Sequence, residues 1–410
     1  MRKNIIIISG FYPTNGILSL ISYFSYSLIS NKKFKKKYNL KILIFDESNF
    51  LKLKKIIFNI FLSIKNILLN QKNRIHKSTN KAEQFIQDNP NLRKNIMLYS
   101  NEKDFSYLNP QLIFPIYFPI KKGDVNSIGY IYDFQHKDLP KLFTRHEINL
   151  RNKLFSQILR SNNNIIVNSN YVKTKLKKYF NTFGNKIIKI PFLPYIHGNT
   201  KKENFEELRN KYGIKKNFFI ICNHFWKHKN HKVAFEAFDQ LLKLKPDYQL
   251  VCTGELVDSR HPNYFKNLIK KYKEIIKKRK ILILGVIPKN AQICLLENSK
   301  VVIQPTSYEG GPGGFSAYEA IAFKKNLLLS DIIVNKEIKG KNVFFFKNNS
   351  PNKLLKKLLF IIDRKMKKIN RTIIYQESKI KRKKLGNFLF NLIEKNSKIY
   401  KLDYDITIKK

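Results

Sequence analysis

Two glutamates, Glu309 and Glu319, flank a run of glycine and proline in the segment SYEGGPGGFSAYEA, residues 307–320. An ionised carboxylate offers only hydrogen-bond acceptors, so it can bridge two adjacent hydroxyl groups of a ligand. The helix predicted from about Ser316 directs free amides toward the same turn, and such amides bind phosphate. The segment therefore predicts a site for a ligand with phosphates and hydroxyl pairs, such as a nucleotide sugar. An ordinary glycine-rich turn with a capping glutamate is the alternative.

The glycines of this segment let the backbone turn and approach a ligand closely. They are Gly310, Gly311, Gly313 and Gly314, and Phe315 follows them. The turn comes directly after the apolar run KVVIQPT, which predicts a strand. Ligands of parallel α/β sheets bind beyond the carboxyl ends of the strands, so the turn lies where a ligand is expected.

A second loop, residues 223–230, follows the predicted strand NFFII and precedes the next predicted helix. It carries four groups that can be cationic: His224, Lys227, His228 and Lys229. Cations at a strand end could neutralise the charge that develops on a departing diphosphate, a role that needs no metal ion. In a chain this rich in lysine, a solvated basic turn is the alternative.

The first half of the chain contributes two weaker candidates. In the segment GYIYDFQHKDLPKLF, an apolar run leads to Asp133, His136 and Asp138. A histidine at a strand end can contact a transferring sugar, although a lone histidine is more often structural. In SGFYPTNGILS, Asn15 and Gly16 stand where backbone could approach a phosphate or an acceptor. That segment lacks the full Gly-x-Gly-x-x-Gly pattern, so no dinucleotide fingerprint is predicted.

Short apolar runs of strand length alternate with helical patterns along most of the chain. This alternation predicts parallel sheets covered by helices on both faces. The pattern breaks at PFLPYIHGNTKKEN, which places the best candidate linker near residues 195–205. We therefore expect an α/β protein with two doubly wound, Rossmann-like domains that face each other across a cleft. The expected domains are residues 1–198 on the acceptor side and 199–385 for nucleotide-sugar binding, with residues 386–410 as a C-terminal helix that could cross back to the first domain.

The formal net charge of +50, from 79 basic and 29 acidic residues, raises the question of nucleic-acid binding. Only twelve basic residues are arginine, the type suited to bidentate recognition of phosphates and bases. We favour a general compositional bias over a functional anionic partner, of which a membrane surface is the better candidate. The basic amphipathic segment 51–70 fits packing on a sheet, which we favour, or contact with a membrane interface. No window is apolar enough to predict a transmembrane helix.

The three cysteines, Cys222, Cys252 and Cys294, show neither paired nor metal-ligand spacing. They are expected to be small buried side chains in a reducing compartment. The N-terminal run MRKNIIIISG is too short for the apolar region of a signal peptide and predicts a strand. We therefore expect a cytoplasmic protein.

Together these residues resemble the family 4 glycosyltransferases of the GT-B type, of the bacterial group 1 kind. The family's Gly-Arg-x4-Lys segment, which binds the donor diphosphate, is matched by Asn223, His224 and Lys229, with histidine where the family has arginine. Its Glu-x7-Glu motif is matched by Glu309 and Glu319, with two extra residues in the turn.

The resemblance covers most of the chain and is strongest over residues 221–338. In the first half, the segments IYDFQHKDLPKLFTRHEINLRN, VNSNYVKTKL and PFLPYI resemble a bacterial subgroup of the family. Within them, His136 matches the histidine that faces the donor sugar.

The resemblance implies transfer of a sugar from a nucleotide-sugar donor to a glycan or lipid-linked acceptor, with retention of anomeric configuration. It implies a role in bacterial surface polysaccharide synthesis, such as that of lipopolysaccharide. Glu309 would contact the sugar, Glu319 the ribose, and His136 would position the sugar and stabilise charge. The expected catalytic residues are His136, Glu309 and Lys229. The expected donor-binding residues are Gly16, His224, Lys229, Glu309, Gly311, Gly313, Gly314, Phe315 and Glu319.

The expected partners are the nucleotide sugar, as a substrate, and the acceptor, with no cofactor, no obligatory metal and no nucleic acid. Peripheral contact with the anionic inner face of the cytoplasmic membrane is an option. Two other functions stay open. A nucleotide-sugar epimerase of the same fold would need more acid-base residues than the sequence offers. A basic nucleic-acid-binding protein would be expected to interleave aromatic residues with arginine, and no such pattern is found.

Overall fold

A computed structural model describes residues 2–10, 13–46, 81–100, 107–118, 125–182, 184–196, 203–364 and 370–405, with side chains up to residue 396. The amphipathic segment 51–70 and most of the predicted linker, residues 197–202, lie outside the described residues. Within the described ranges, no helix combines the length and apolarity needed to cross a bilayer.

The first sheet has seven strands in the order β3-β2-β1-β4-β5-β6-β7. The strands are β1 Lys3–Ile8, β2 Tyr38–Phe45, β3 Ile96–Tyr99, β4 Pro110–Ile116, β5 Ser127–Ile131, β6 Asn164–Val167 and β7 Lys186–Lys189. The helices along this part of the chain are α1 Asn15–Ile29, α2 Lys32–Lys37, α3 Lys81–Asp88, α4 Gln135–Asp138, α5 Arg145–Ser161 and α6 Asn170–Tyr179. The central β1 pairs in parallel with β2 and β4, and Ile5 faces Leu40 and Leu112.

The second sheet has six strands in the order β10-β9-β8-β11-β12-β13, all paired in parallel. The strands are β8 Phe218–Cys222, β9 Gln249–Thr253, β10 Ile281–Gly285, β11 Val301–Gln304, β12 Asn326–Ser330 and β13 Val343–Phe346. The helices are α7 Phe205–Tyr212, α8 His231–Leu244, α9 Asn263–Lys271, α10 Lys273–Lys277, α11 Lys289–Asn298, α12 Gly314–Ala322, α13 Pro351–Ile362 and α14 Arg371–Asp405.

Strand β8 shows why these apolar runs fold as central strands. Phe218 and Ile220 pack into the core on one face of the second sheet, and Phe219 and Ile221 pack into the core on the other. Both faces are covered, so the strand is apolar at every one of these positions. On α8, Val233, Ala237, Phe238 and Leu241 recur at helical spacing and are all buried. The predicted α/β class, with two doubly wound parallel sheets, is confirmed.

The strand order reverses between β8 and β11, and sheets of this kind bind ligands at the carboxyl ends of the strands beside such a reversal. The loop 223–230 follows β8, and the glycine-rich turn follows β11, so the topology brings both predicted loops to this point.

The chain divides into two compact units, residues 1–130 with 386–410, and residues 131–385. All candidate site residues except Asn15 and Gly16 belong to the second unit. The domain boundaries expected at 198 and 385 stay a prediction.

Candidate functional site

The loop after β8 and the turn after β11 are joined by hydrogen bonds to one carbonyl. The backbone oxygen of His228 accepts from the Ser307 amide at 2.8 Å and from the Ser307 Oγ at 3.0 Å. The His228 side chain is buried, and this burial lowers its pKa well below the ordinary value. The His228 backbone therefore joins the two loops, whereas its buried side chain is neutral.

Lys229 and Glu309 meet at the junction of these two loops. The Lys229 Nζ lies 2.5 Å from the Glu309 Oε1, and the side chains are only 13% and 12% exposed. Lys229 closes a 3₁₀ turn, and Asn230 follows in the left-handed conformation, with φ of 57°, to begin α8. The sharp reversal presents the Lys229 side chain toward the turn after β11. An ion pair this buried is weakly screened by solvent.

The front half of the glycine-rich turn, residues 307–311, packs against residues from the first half of the chain. The Tyr308 hydroxyl accepts a hydrogen bond from the Phe134 amide at 2.8 Å, and the Gly310 carbonyl accepts from Ser169 Oγ at 2.7 Å. A Cβ on Gly310 would lie 2.1 Å from the backbone oxygen of Tyr132. The absence of a side chain at Gly310 thus allows the backbone of the turn to approach the backbone of Tyr132 closely.

The rear half of the turn, residues 313–319, is held by the 3₁₀ helix Ile333–Glu337, which follows β12, and is open at Gly314. The Gly313 amide donates to the Asn335 Oδ1 at 2.8 Å, so this amide is already engaged. Gly313 and Gly314 both have positive φ, 60° and 67°, and a Cβ on Gly314 would meet no atom within 4 Å. The start of α12 is therefore open beside Gly314. The neighbouring Phe315 ring packs at 5.9 Å from the Phe192 ring.

Glu319 lies within α12, buried to 7% exposure. Its Oε1 lies 2.6 Å from the Nζ of Lys289, the first residue of α11. Its Oε2 is buried and has no hydrogen-bond partner among the residues that the structure describes. A buried carboxylate oxygen is normally hydrogen-bonded, so Oε2 is an acceptor that lacks a donor among the described residues.

His224 is a neutral group in this arrangement. Its Nδ1 accepts a hydrogen bond from the Glu255 amide at 2.9 Å, which requires the ring proton on Nε2. The ring lies against Trp226, with centroids 4.9 Å apart. His224 can therefore donate a hydrogen bond through Nε2, but it does not supply the fixed charge of an arginine.

His136 is enclosed by aromatic rings and is 1% exposed. Its Nε2 lies 3.1 Å from the Asn152 Oδ1. Burial, helped by the positive charge of Arg151, lowers the pKa of His136 to about 4, so the ring is neutral at pH 7. Within the described part of the chain, no hydrogen bond joins it to Lys229 or Glu309. The structure thus brings Lys229 and Glu309 together and leaves His136 packed in the same unit.

Two arginines near these residues were missed by the sequence reasoning. Arg151 donates to the Asp133 Oδ1 at 2.5 Å, and its guanidinium lies 5.4 Å from the centre of the Phe143 ring. Arg260 lies 4.8 Å from the same ring and donates to the Gln135 Oε1 at 3.1 Å. The scarcity of arginine was the signal that could have pointed to them.

Gly16 belongs to the other unit, in the first turn of α1. The Thr14 hydroxyl accepts from the Ile17 amide at 3.3 Å and caps that helix. A Cβ on Gly16 would approach only Thr14, at 3.7 Å. The predicted role of Gly16 in donor binding stays a prediction.

The two doubly wound sheets are those of the GT-B glycosyltransferases, as similar solved structures show. HepE of Anabaena in complex with UDP and glucose aligns with a TM-score of 0.57 and 13% identity, over 98% of this chain and 100% of that chain. WaaG, a glycosyltransferase involved in lipopolysaccharide biosynthesis, aligns with a TM-score of 0.53 and 12% identity, over 97% of this chain and 99% of that chain. A glycosyltransferase from Rickettsia africae aligns with a TM-score of 0.51 and 18% identity, over the whole of both chains.

Residues 204–379 match the family model of the group 1 glycosyl transferases. The match covers the part of the chain that contains Lys229, Glu309 and Glu319. No curated protein sequence matches the chain significantly.

Proposed function

We propose that the protein is a retaining glycosyltransferase that moves a sugar from a nucleotide-sugar donor to a hydroxyl group of a glycan or lipid-linked acceptor. One observation carries this proposal. Two buried glutamates, each paired with a lysine, flank the glycine-rich turn at the reversal of the second sheet. This arrangement combines acceptors for hydroxyl groups with cations for phosphates, as a nucleotide sugar requires.

Lys229 neutralises the donor diphosphate. Its ammonium group has three hydrogen-bond donors, and Glu309 engages one of them at 2.5 Å, so the other donors can reach phosphate oxygens. Glu309 accepts from hydroxyl groups of the donor sugar, and Glu319 accepts from the ribose. Because Lys229 and Glu309 are in contact, the sugar and the diphosphate are bound by adjacent groups.

In the reaction, the bond between the anomeric carbon and the diphosphate oxygen breaks, and the acceptor oxygen bonds to the same carbon on the same face. The proton of the acceptor hydroxyl passes to the departing diphosphate oxygen. Lys229 stabilises the charge that develops on that oxygen. The neutral His136 shapes the site and does not act as a cation at pH 7.

We extend this proposal to the identity of the donor, the class of acceptor and the location of the reaction. The complex of HepE with UDP and glucose supports a uridine diphosphate sugar as the first donor to examine. The role of WaaG supports an acceptor in a bacterial surface polysaccharide. We place the reaction in the cytoplasm, at or near the inner face of the membrane, and expect it to proceed without a metal ion.

The test begins with purified protein and a panel of nucleotide sugars. A donor at 100 times its Kd should raise the free energy of unfolding by about 2.7 kcal/mol, which a thermal-shift assay detects. The bound donor is then incubated with candidate acceptors, with and without EDTA, and the product's anomeric configuration is read by NMR. Failure of every nucleotide sugar to bind would contradict the proposal. An epimerised sugar formed from donor alone would point instead to an epimerase.

A further inference from the structure

Lys289 belongs to a chain of polar contacts that ends at Glu319. The Lys289 Nζ contacts Glu319 Oε1 at 2.6 Å and Gln292 Oε1 at 3.0 Å. Gln292 in turn donates to Thr253 Oγ1 at 2.9 Å, and Thr253 is the fully buried last residue of β9. The lysine ammonium is thus held from two sides, by Glu319 of α12 and by Gln292 of α11, and Gln292 is itself bonded to the end of β9.

The Lys289–Glu319 pair lies where the second sheet reverses. Both groups act electrostatically on Cys222, the last residue of β8. Glu319 is 9% exposed in its side chain, whereas Lys289 is 32% exposed and reaches the carboxylate from the solvent side. A carboxylate this buried needs a charge partner, because loss of solvation strongly disfavours an isolated ion.

We propose, building on the donor site proposed above, that Lys289 is a positioning residue for the nucleoside part of the donor. It holds Glu319 through Oε1 and thereby leaves Oε2 to accept a hydrogen bond from a ribose hydroxyl. Oε2 is buried and has no partner among the described residues, which is the independent sign that a hydroxyl donor belongs there. Lys289 acts through Glu319 and does not itself contact the diphosphate.

The chain provides a matched control for this lysine. Lys324 is also 32% exposed and pairs with Glu377 at 2.5 Å. Lys289→Met and Lys324→Met therefore remove the same charge from pairs of similar length. Lys289→Arg keeps the charge, and Glu319→Gln keeps the shape of the carboxylate while removing its charge.

The experiment measures nucleotide binding by calorimetry, without turnover. UDP, GDP, ADP, CDP and dTDP are titrated into the wild-type protein, and the tightest binder is compared with its 2′,3′-dideoxy form. We expect Lys289→Met to weaken binding of the ribonucleotide by about 10- to 100-fold, the range for a hydrogen bond to a charged group. Binding of the dideoxy form should change little, Lys289→Arg should recover most of the affinity, and Lys324→Met should match the wild type. Turnover should show a higher KM for the donor with a similar kcat.

The double variant Lys289→Met with Glu319→Gln distinguishes an action of Lys289 through Glu319 from a direct contact between Lys289 and the ligand. If Lys289 acts through Glu319, Lys289→Met should have little further effect in that background. An equal loss in both backgrounds, or an equal loss for the dideoxy form, would mean that Lys289 contacts the ligand directly and would overturn the proposal. Unchanged affinity in Lys289→Met would overturn it as well. If the wild-type protein binds none of the nucleotides, the donor site itself fails, and the role of Lys289 fails with it.

Discussion

The front and rear halves of the glycine-rich turn look alike in sequence and differ in what surrounds them. The front half, residues 307–311, is enclosed by protein: Phe134 donates to Tyr308, Ser169 donates to Gly310, and the Tyr132 backbone approaches Gly310. The rear half, residues 313–319, is anchored by Asn335 and Lys289 and is open at Gly314.

This difference separates two uses of glycine within one motif. In the front half, the missing side chain makes room for another backbone, and the conformation of Gly310 is not left-handed. In the rear half, the requirement is conformational, because Gly314 has φ of 67° and space around it. Gly310 therefore depends on a contact distant in the sequence, whereas Gly314 depends on local backbone geometry.

The largest expected effect comes from the ion pair between Glu309 of the front half and Lys229 of the loop after β8. Lys229→Met and Glu309→Gln should each lower kcat by about 100- to 1000-fold, because each removes a group that stabilises the transition state. The measurement is the initial rate of nucleotide release with saturating donor and acceptor.

Each single substitution also leaves the other member of the buried Lys229–Glu309 pair without its opposite charge, which destabilises the fold. The double variant Lys229→Met with Glu309→Gln removes both charges and should regain stability while staying inactive. Lys324→Met is the control for loss of a paired lysine outside the site. Wild-type rates in the double variant would contradict the catalytic assignment of this pair.

The next effect concerns the packing of the front half. Gly310→Ala would place a Cβ 2.1 Å from the Tyr132 oxygen, and backbone cannot yield as a flexible side chain does. We expect a loss of about 1 to 3 kcal/mol in the free energy of unfolding, the usual cost of overpacking. Urea denaturation measures this loss. A stability equal to that of the wild type would show that the front half can shift away from Tyr132.

The sequence predicted the site where the signal was local. Lys229 and Glu309 lie in loops that follow apolar strands, and Glu319 lies in the helix that follows the second of these loops. Parallel topology brings the ends of such strands together. Lys289 could not be recognised, because it is one lysine in a chain with 79 basic residues and no motif sets it apart. The requirement for glycine at position 310 comes from the close approach of the Tyr132 backbone. Tyr132 is distant in the sequence, so no local sequence pattern could predict this contact.

Acid should loosen the front half before the rear half, because the loop that supports it and the first residue of α8 carry the buried neutral histidines His228 and His231. His231 is fully buried against Phe225, and this burial lowers its pKa from 6.5 to about 3. Well above pH 6.5 neither state is protonated, and at pH 6.5 half of the unfolded chains carry the proton. As the pH falls below 6.5, the unfolded chain binds a proton that the folded chain excludes. His231 alone should therefore cost about 1 kcal/mol of stability between pH 6.5 and 5.5.

Urea denaturation at pH 7.5, 6.5 and 5.5 measures this dependence. His231→Phe keeps a ring against Phe225 and should remove about 1 kcal/mol of the acid loss. The protection factor, which is the intrinsic exchange rate at each pH divided by the observed rate, should fall with acid more in peptides that cover residues 305–311 than in those that cover 313–322. Equal protection of both peptides at pH 5.5 would show that acid does not distinguish the two halves.

The smallest expected effect is at Gly314, in the open rear half. Gly314→Ala meets no atom, so its cost is the strain of a positive φ, about 1 kcal/mol. Gly314→Asn should cost less, because asparagine tolerates the left-handed conformation better than alanine does. If strain alone governs this position, stability should fall in the order glycine, asparagine, alanine. If asparagine, the larger side chain, instead costs more than alanine, the rear half is as enclosed as the front, and the difference between the two halves disappears.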